Sequence, residues 1–187
     1  MTPEKVEDLR LNGHYLNLGF QELEDLTSSM VPSDGKVASI NCGHNSITSI
    51  GVLPMEMQVF VCNDNSITKM SPLPRNLFVL GCSNNQISEF LPGVLPNTLT
   101  SLACYGNQIR EFLPGVLPRS LRTLVCGNNK IEGFAPGSLP EGLVEIDCAD
   151  NPITRLENLP SSLKSLRCDW RKITNLDELS DKVYRVL

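Results

Sequence analysis

Residues 99–118 read LTSLACYGNQIREFLPGVLP, and most of the chain repeats the pattern of this stretch. The pattern is L-x-x-L-x-C-x-x-N-x-I, followed by a return segment rich in proline. Its copies are 20 or 22 residues long and begin at Val37, Met57, Leu77, Leu99, Leu121, Leu143 and Leu163. All seven cysteines fall in one column of the repeat, at positions 42, 62, 82, 104, 126, 148 and 168. A fixed period of this length predicts a solenoid, in which each repeat packs only against its neighbours.

The apolar residues in the middle of each copy alternate with period two, which is typical of a short strand whose leucine and cysteine face the core. Successive strands are expected to stack in parallel. The asparagines of successive copies are expected to form a ladder at the turn. There each side chain can hydrogen-bond to buried backbone amides and carbonyls that otherwise have no partner. The return segments are too short and too rich in proline for helices, so we expect extended or polyproline-like backbone. The predicted fold class is an α/β-type solenoid, mostly β, with a concave parallel sheet.

We divide the chain into three parts. Residues 1–36 are an N-terminal capping repeat, residues 37–182 are the seven regular repeats, and residues 183–187 begin an incomplete C-terminal repeat. In the capping repeat the skeleton positions fall on Val6, Leu9, Leu11, His14 and Leu16. The surplus of this repeat, QELEDLTSSM at 21–30, is interpreted as a short helix. At the other end Arg171 replaces the ladder asparagine, and Val183 with Val186 opens the incomplete skeleton.

The three 22-residue copies each add a phenylalanine to the return segment. These residues are Phe90, Phe112 and Phe134. Because they share one repeat position, we expect them to stack along the outer part of the core.

Composition excludes several classes of function. The net charge is −5 and lysine and arginine form no cluster, so a nucleic-acid partner is not expected. No apolar run approaches the roughly 18 residues of a membrane span, and the N-terminus does not resemble a signal peptide. The cysteines occupy a core column, where a free thiol behaves as a small hydrophobic group, which favours a reducing compartment such as the cytoplasm. No Cys-x-x-Cys pair is present, so neither a metal nor another cofactor is predicted.

Catalytic groups are not brought together by the pattern. Cys42 should face the core while His44 lies on the inner surface, so the two cannot form a nucleophile and base. His14 falls on a ladder position and is interpreted as a substitute for asparagine. The protein is therefore not expected to be an enzyme.

The repeat resembles the leucine-rich repeat, and the match covers about residues 6–187. Its L-P-x-x-L-x-x-L-x-C-x-x-N-x-I form is similar to the Leu-Pro-x class found in bacterial type III secretion effectors. The chain differs from that class in three respects: cysteine replaces the usual valine or leucine, the N-terminal helical hairpin is absent, and no ubiquitin-ligase domain follows. Versions with cysteine also resemble leucine-rich-repeat proteins of environmental bacteria, protists and large DNA viruses. The resemblance implies a right-handed horseshoe that binds a partner on its concave face without catalysis, in a host cytoplasm if the protein is an effector or viral.

The strand positions that face outward define the candidate partner site. An apolar floor is predicted beside Tyr105 at Val59, Val61, Val79 and Val125, and Ala103 lies on the same face. A charged border follows it, in which Glu145, Asp147, Asp150 and Asp169 form an acidic patch and Arg167 lies on the same face. Exposed aromatic residues flanked by charge are typical of binding hot spots. The alternative is that valines occupy these positions because strands favour β-branched residues. Trp170 either contacts the partner or shields the end of the core.

Three functional hypotheses follow. The first is a non-enzymatic module that binds a partner protein through the concave face. The second is a structural or assembly protein that self-associates, for example as a homodimer, through its C-terminal edge. The third is the recognition half of a larger effector enzyme. A repeat surface of this kind does not identify its ligand.

Overall fold

A computed structural model describes residues 10–11, 14–31, 37–178 and 184–186, the first and last of these ranges by their backbone alone. Val6 and Leu9 of the predicted capping repeat lie outside the described residues. In the described parts of the chain, twelve short strands form two sheets. The strands are β1 (Arg10–Leu11), β2 (Tyr15–Asn17), β3 (Asp25–Leu26), β4 (Ser39–Asn41), β5 (Ser49–Ile50), β6 (Val59–Val61), β7 (Val79–Gly81), β8 (Ser101–Ala103), β9 (Thr123–Val125), β10 (Glu145–Asp147), β11 (Ser165–Arg167) and β12 (Tyr184–Val186).

The main sheet has ten strands in the order β1-β2-β4-β6-β7-β8-β9-β10-β11-β12. All neighbours in it are parallel except β1 and β2, which are antiparallel. Strands β3 and β5 form a separate parallel pair. The predicted fold class, a mostly-β solenoid of stacked parallel strands, is confirmed.

Each repeat contributes a strand of three residues to the main sheet, because only its central alternating segment can pair on both sides. The middle residue is buried and the two flanking residues face the concave side, as in β8, where Leu102 lies between Ser101 and Ala103. The in-register pairing of Leu80, Leu102 and Leu124 stacks the buried residues into one column.

The cysteines form a second core column beside the leucines, as predicted. All seven are free and buried. Removal of the thiols from water raises the pKa of Cys42 and Cys82 to about 12. Burial likewise raises the pKa of Cys104 well above its ordinary value. The column is therefore unreactive at neutral pH.

The predicted asparagine ladder is present and satisfies the turn after each strand. The Nδ2 of Asn107 donates to the carbonyls of Cys82, Cys104 and Tyr105. Its Oδ1 accepts from the amide of Ile87 in the preceding repeat, at 2.9 Å. The same set of bonds recurs at the other regular positions: Asn65, Asn85, Asn129 and Asn151.

The return segments contain turns and extended backbone, as predicted. The only helices in the described residues are three single 3-10 turns at Ser28–Met30, Trp170–Lys172 and Leu176–Glu178. The phenylalanine column is buried, and the rings of Phe90 and Phe112 stack with their centroids 6.5 Å apart.

The predicted register of the capping repeat is wrong. Leu16 pairs with Ile40 and therefore occupies the central strand position that the sequence pattern assigns to Leu9. The amides of Gln21 and Leu23 donate to Oδ1 of Asn45, so Leu23 rather than Leu16 holds the place of the repeat isoleucine. His14 is correspondingly not a ladder residue. It precedes the strand, and its carbonyl accepts from the amides of Ala38 and Ser39.

The helix predicted for residues 21–30 is also absent. This segment contains β3, which pairs with β5, and the 3-10 turn Ser28–Met30. Leu23 and Leu26 are buried because they follow the spacing of the repeat, whose isoleucine and phenylalanine positions are also three apart. The spacing of three residues between these two buried leucines is therefore a property of the repeat and does not require a helix.

The C-terminal repeat also departs from the predicted register. In the pairing of β12 with β11, Arg185 lies opposite Leu166 and Val186 lies opposite Arg167. The sequence pattern instead aligns Val186 with Leu166. Arg171 is exposed on a 3-10 turn, and buried Asn175 bonds the backbone of Leu156 through both its side-chain atoms. Asn175 therefore satisfies the backbone of the preceding return segment and does not take the place of a ladder asparagine.

Candidate functional site

The predicted apolar floor lies on four adjacent strands of the concave face, β6 to β9. Val59 pairs with Val79, and Ala103 pairs with Val125. Between them, Val61 pairs with Gly81, which in turn pairs with Ala103. The flanking side chains are half-buried, and Gly81 is buried. The structure thus brings the four predicted floor residues and Ala103 into one continuous surface.

Tyr105 borders this floor immediately after β8. Its ring lies against Gly127, because a Cβ atom added to Gly127 would be only 3.0 Å from the Cδ2 of Tyr105. A Cβ atom there would be closer to the ring than ordinary van der Waals contact, so the ring would have to shift by a few tenths of an ångström. The glycine therefore allows Tyr105 to lie flat along the edge of the floor, half-buried.

The charged border on β10, β11 and the turns after them is partly neutralised by ion pairs. The Nη1 of Arg167 lies 2.8 Å from the Oδ2 of Asp147 on the neighbouring strand. This hydrogen bond, and then the charge of Asp147, raises the pKa of the Arg167 guanidinium, with smaller contributions from Asp150 and Tyr105. Lys172 lies 2.7 Å from the Oδ2 of Asp169.

Glu145 and Asp150 differ from the other two carboxylates. Both residues are exposed, and neither carboxylate forms a hydrogen bond or salt bridge with the described residues. The backbone amide of Asp150 donates a hydrogen bond to the Oδ2 of Asp169, but its own carboxylate is not involved. Glu145 and Asp150 therefore leave negative charge at this end of the concave face available to a partner.

Trp170 begins the 3-10 turn after β11 and is half-buried against the core. Of the two interpretations of this residue, shielding of the last regular repeat agrees with that packing.

Solved structures similar to this chain are leucine-rich-repeat domains of bacterial effectors. YopM from Yersinia enterocolitica WA-314 is 26% identical over 73% of this chain, with a TM-score of 0.60. YopM from Yersinia pestis, a leucine-rich effector protein, is 25% identical over 82% of it, with a TM-score of 0.58. A Shigella effector leucine-rich-repeat domain is 18% identical over 98% of it, with a TM-score of 0.68. The protein is a leucine-rich-repeat solenoid similar to bacterial effector proteins.

The extent of these matches differs. The leucine-rich-repeat chain spans 34% and 51% of the two YopM chains and 94% of the Shigella domain. A comparison with protein-family models finds no match, and neither does a comparison with curated proteins. Effector-like solenoids of this type are typically interaction domains without catalytic activity, so the fold indicates a protein-interaction module.

The first repeat of the leucine-rich-repeat sheet contributes concave residues that the sequence pattern missed. Because β2 starts at Tyr15 and Leu16 is its buried central residue, its residues on this face are Tyr15 and Asn17. The Nδ2 of Asn41 on the next strand donates to the Oδ1 of Asn17, at 3.3 Å. Strands β2 and β4 therefore present uncharged polar side chains on this face.

A column at the end of the strands was also missed. The residue two places after each of the first six core cysteines adopts a left-handed conformation, with φ between 49° and 65°. Members of this column, including the first repeat, are Phe20, His44, Asp64, Asn84, Gly106, Asn128 and Asp150. The frequent Asn, Asp and Gly in this column are the sequence signal, since these residues tolerate positive φ best.

The side chains of this column interact along the edge of the sheet. Phe20 is 74% exposed, and its ring stacks on His44 with centroids 4.3 Å apart. The Nε2 of His44 lies 3.5 Å from the Oδ2 of Asp64, whose Oδ1 accepts from Asn84. His44 is thus engaged at the surface, while Cys42 is buried in the core.

The parts of the leucine-rich-repeat chain that the structure describes meet neither the requirements of a metal site nor those of a membrane-spanning helix. No group of three His, Cys, Asp or Glu side chains there could hold a metal ion. None of the helices in those parts is long and apolar enough to cross a membrane.

Proposed function

We propose that this leucine-rich-repeat protein is a non-enzymatic module that binds a partner protein on the concave face of its sheet. The observation that supports this most is the continuous apolar floor of β6 to β9 with Tyr105 at its edge, where Gly127 leaves room for the ring. Large aromatic residues beside apolar surface are common anchors of protein interfaces. The contacts would be made by the floor residues, Tyr105 and the charged border that includes Asp147 and Asp169.

Strand propensity alone explains this surface less well. The neighbouring strands β4 and β10 have the same length and the same buried central residue. Their concave residues are nevertheless polar: Ser39, Asn41, Glu145 and Asp147. If propensity decided the composition, β-branched residues would be spread along the whole face. Their restriction to β6, β7 and β9 favours a binding role.

Substitution of the floor tests the proposal. Affinity capture with the full chain identifies candidate partners, and the same capture is repeated with Val61→Arg and with Tyr105→Ala. We expect both variants to lose the partner because each removes or charges part of the apolar surface.

The matched control is Val52→Arg, which adds the same charge at a convex position that is 81% exposed. It should retain the partner, and circular dichroism should show that all three variants remain folded. A partner that binds Val61→Arg and Tyr105→Ala as well as the wild type would contradict the concave-face proposal.

Self-association through the C-terminal edge is the second candidate function. β12 is the last strand in the order of the described sheet, and edge strands offer backbone groups for pairing with another chain. Sedimentation equilibrium tests it: a dimer that forms with rising protein concentration supports it, and a monomer throughout argues against it.

We also place the protein in a reducing compartment such as the cytoplasm, and this proposal rests on the seven buried free thiols.

A further inference from the structure

The concave face changes in chemistry from one end of the solenoid to the other. β2 and β4 present uncharged polar side chains, with Asn17 and Asn41 bonded to each other. β6 to β9 present the apolar floor, together with the small polar residues Ser101 and Thr123. β10 and β11 present charge. A partner segment that crosses the strands therefore meets three different environments in a set order.

Charge complementarity at the third environment indicates the chemistry of the partner. Asp147 and Asp169 are paired with Arg167 and Lys172, so neither carboxylate requires a partner cation. Glu145 and Asp150 are exposed and have no such pair among the described residues. Glu145 pairs in register with Thr123 of β9, so its carboxylate lies one strand away from the apolar floor.

We infer that the partner protein presents a segment in which apolar side chains are followed by lysine or arginine, with the apolar part over β6 to β9 and the basic part at Glu145 and Asp150. This inference rests on the proposed concave-face function and adds the chemical class and the direction of the bound segment.

The spacing of the strands sets the spacing of the motif. Parallel strands lie about 4.8 Å apart, so the apolar floor extends over about 14 Å and the acidic residues begin about 5 Å beyond it. An extended chain advances about 3.3 Å per residue, so the floor accommodates four or five residues and the basic residue follows one or two positions later. A helix, which rises about 1.5 Å per residue, would need about ten residues to cover the same floor.

Selection from a random peptide library tests the inference. The full chain is immobilised and used to select twelve-residue peptides from a display library, and the selected peptides are then measured in solution. We expect an apolar run followed by lysine or arginine, and binding that weakens as salt rises from 50 to 500 mM, because exposed ion pairs are screened. The double variant Glu145→Gln/Asp150→Asn should weaken binding about fivefold, as expected for two exposed charge pairs.

The control for charge is Glu89→Gln/Glu132→Gln, which removes two exposed carboxylates from the return side of the repeats. It should change the affinity less than twofold. Selected peptides that need Val61 but lack basic residues, or that bind Glu145→Gln/Asp150→Asn as tightly as the wild type, would overturn the inference and leave the concave-face function intact. Peptides that bind Val61→Arg normally, or a selection that yields none, would count against the concave-face function itself and therefore against both.

Discussion

Asn107 illustrates how single residues hold this solenoid together. It is 8% exposed and forms four hydrogen bonds that connect two consecutive repeats. The turn between a short strand and an extended return segment leaves buried backbone amides and carbonyls without partners. The side-chain amide of asparagine supplies both the donor and the acceptor that these groups need. The residue thus acts as structure rather than as part of the binding surface.

Removal of this amide should be costly. We expect Asn107→Ala to lower the free energy of unfolding by about 3 kcal/mol, because the buried amide of Ile87 and the three carbonyls lose their partner. Urea denaturation measures the change. The neighbouring substitution Gln108→Ala, at an exposed position, is the control and should change stability by less than about 0.5 kcal/mol. Equal stabilities for the two variants would show that the ladder is not what stabilises the turn.

At the scale of the element, the turn after each strand depends on its left-handed residue. In most repeats this residue is asparagine or aspartate, but Gly106 takes the position after Tyr105, with φ of 65°. The reason is packing as well as backbone conformation, since the Oδ1 of Asn84 fills the space where a Cβ would be. Asn84 is fixed there by its bond to Asp64.

Glycine should therefore be required at this turn, whereas a glycine with ordinary φ and open space around it should be replaceable. We expect Gly106→Ala to destabilise the protein by about 2 kcal/mol, from the unfavourable φ together with the collision with Asn84. Gly133→Ala is the matched control, because its added methyl group meets no atom within 4 Å and its φ lies outside the left-handed region. It should be neutral or slightly stabilising. Thermal unfolding of both variants provides the comparison, and an unchanged midpoint for Gly106→Ala would contradict this account of the turn.

At the scale of the whole molecule, the core is a single cluster that runs from Leu16 to Ile173. The cysteine column extends through the regular repeats of this cluster, and burial raises the pKa values of the thiols from Cys42 to Cys148. A group whose pKa is higher in the folded than in the unfolded chain contributes stability at low pH and loses it as pH rises. For Cys42 and Cys82 the loss begins near pH 9, their ordinary pKa, and continues toward pH 12.

Stability should consequently fall in alkaline solution. Between pH 8 and pH 10, each thiol that stays protonated in the folded state should lower the free energy of unfolding by about 1.4 kcal/mol, because the same thiol ionises in the unfolded chain. Urea denaturation of Cys82→Ala and of the wild type is measured at both pH values. The difference between the two proteins gives the contribution of one thiol, because the other groups that ionise in alkaline solution are common to both. The variant is expected to lose about 1.4 kcal/mol less than the wild type over this interval. Identical losses would show that the thiol of Cys82 does not contribute to the pH dependence.

Much of this architecture can be predicted from one repeat. The positions of Leu102, Cys104 and Asn107 in core and ladder follow from local alternation and from a period that recurs seven times, so each copy supports the interpretation of the others. The floor residues of the concave face follow by the same reasoning, because side chains on a strand alternate between its two sides. Where the repeat is regular, local pattern and tertiary structure agree.

The two ends of the solenoid could not be predicted in this way. At the N-terminus, Leu9 and Leu16 both fit the central strand position by pattern, and only pairing with β4 selects Leu16. At the C-terminus, pairing with β11 places Arg185 rather than Val186 opposite Leu166. A terminal repeat has one neighbour instead of two, so its sequence is less constrained and several registers fit it equally well.

The sequence by itself determined the repeat, the core columns and the face on which a partner would lie, because these depend on periodicity along the chain. Only the tertiary structure decided the ion pairing of Asp147 with Arg167, the packing of Tyr105 against Gly127 and the exposure of Glu145 and Asp150. These features depend on side chains that are about 20 residues apart in sequence and become neighbours only when the repeats stack. The chemistry of the concave face is therefore a property of adjacent repeats together and cannot be assigned to any one of them.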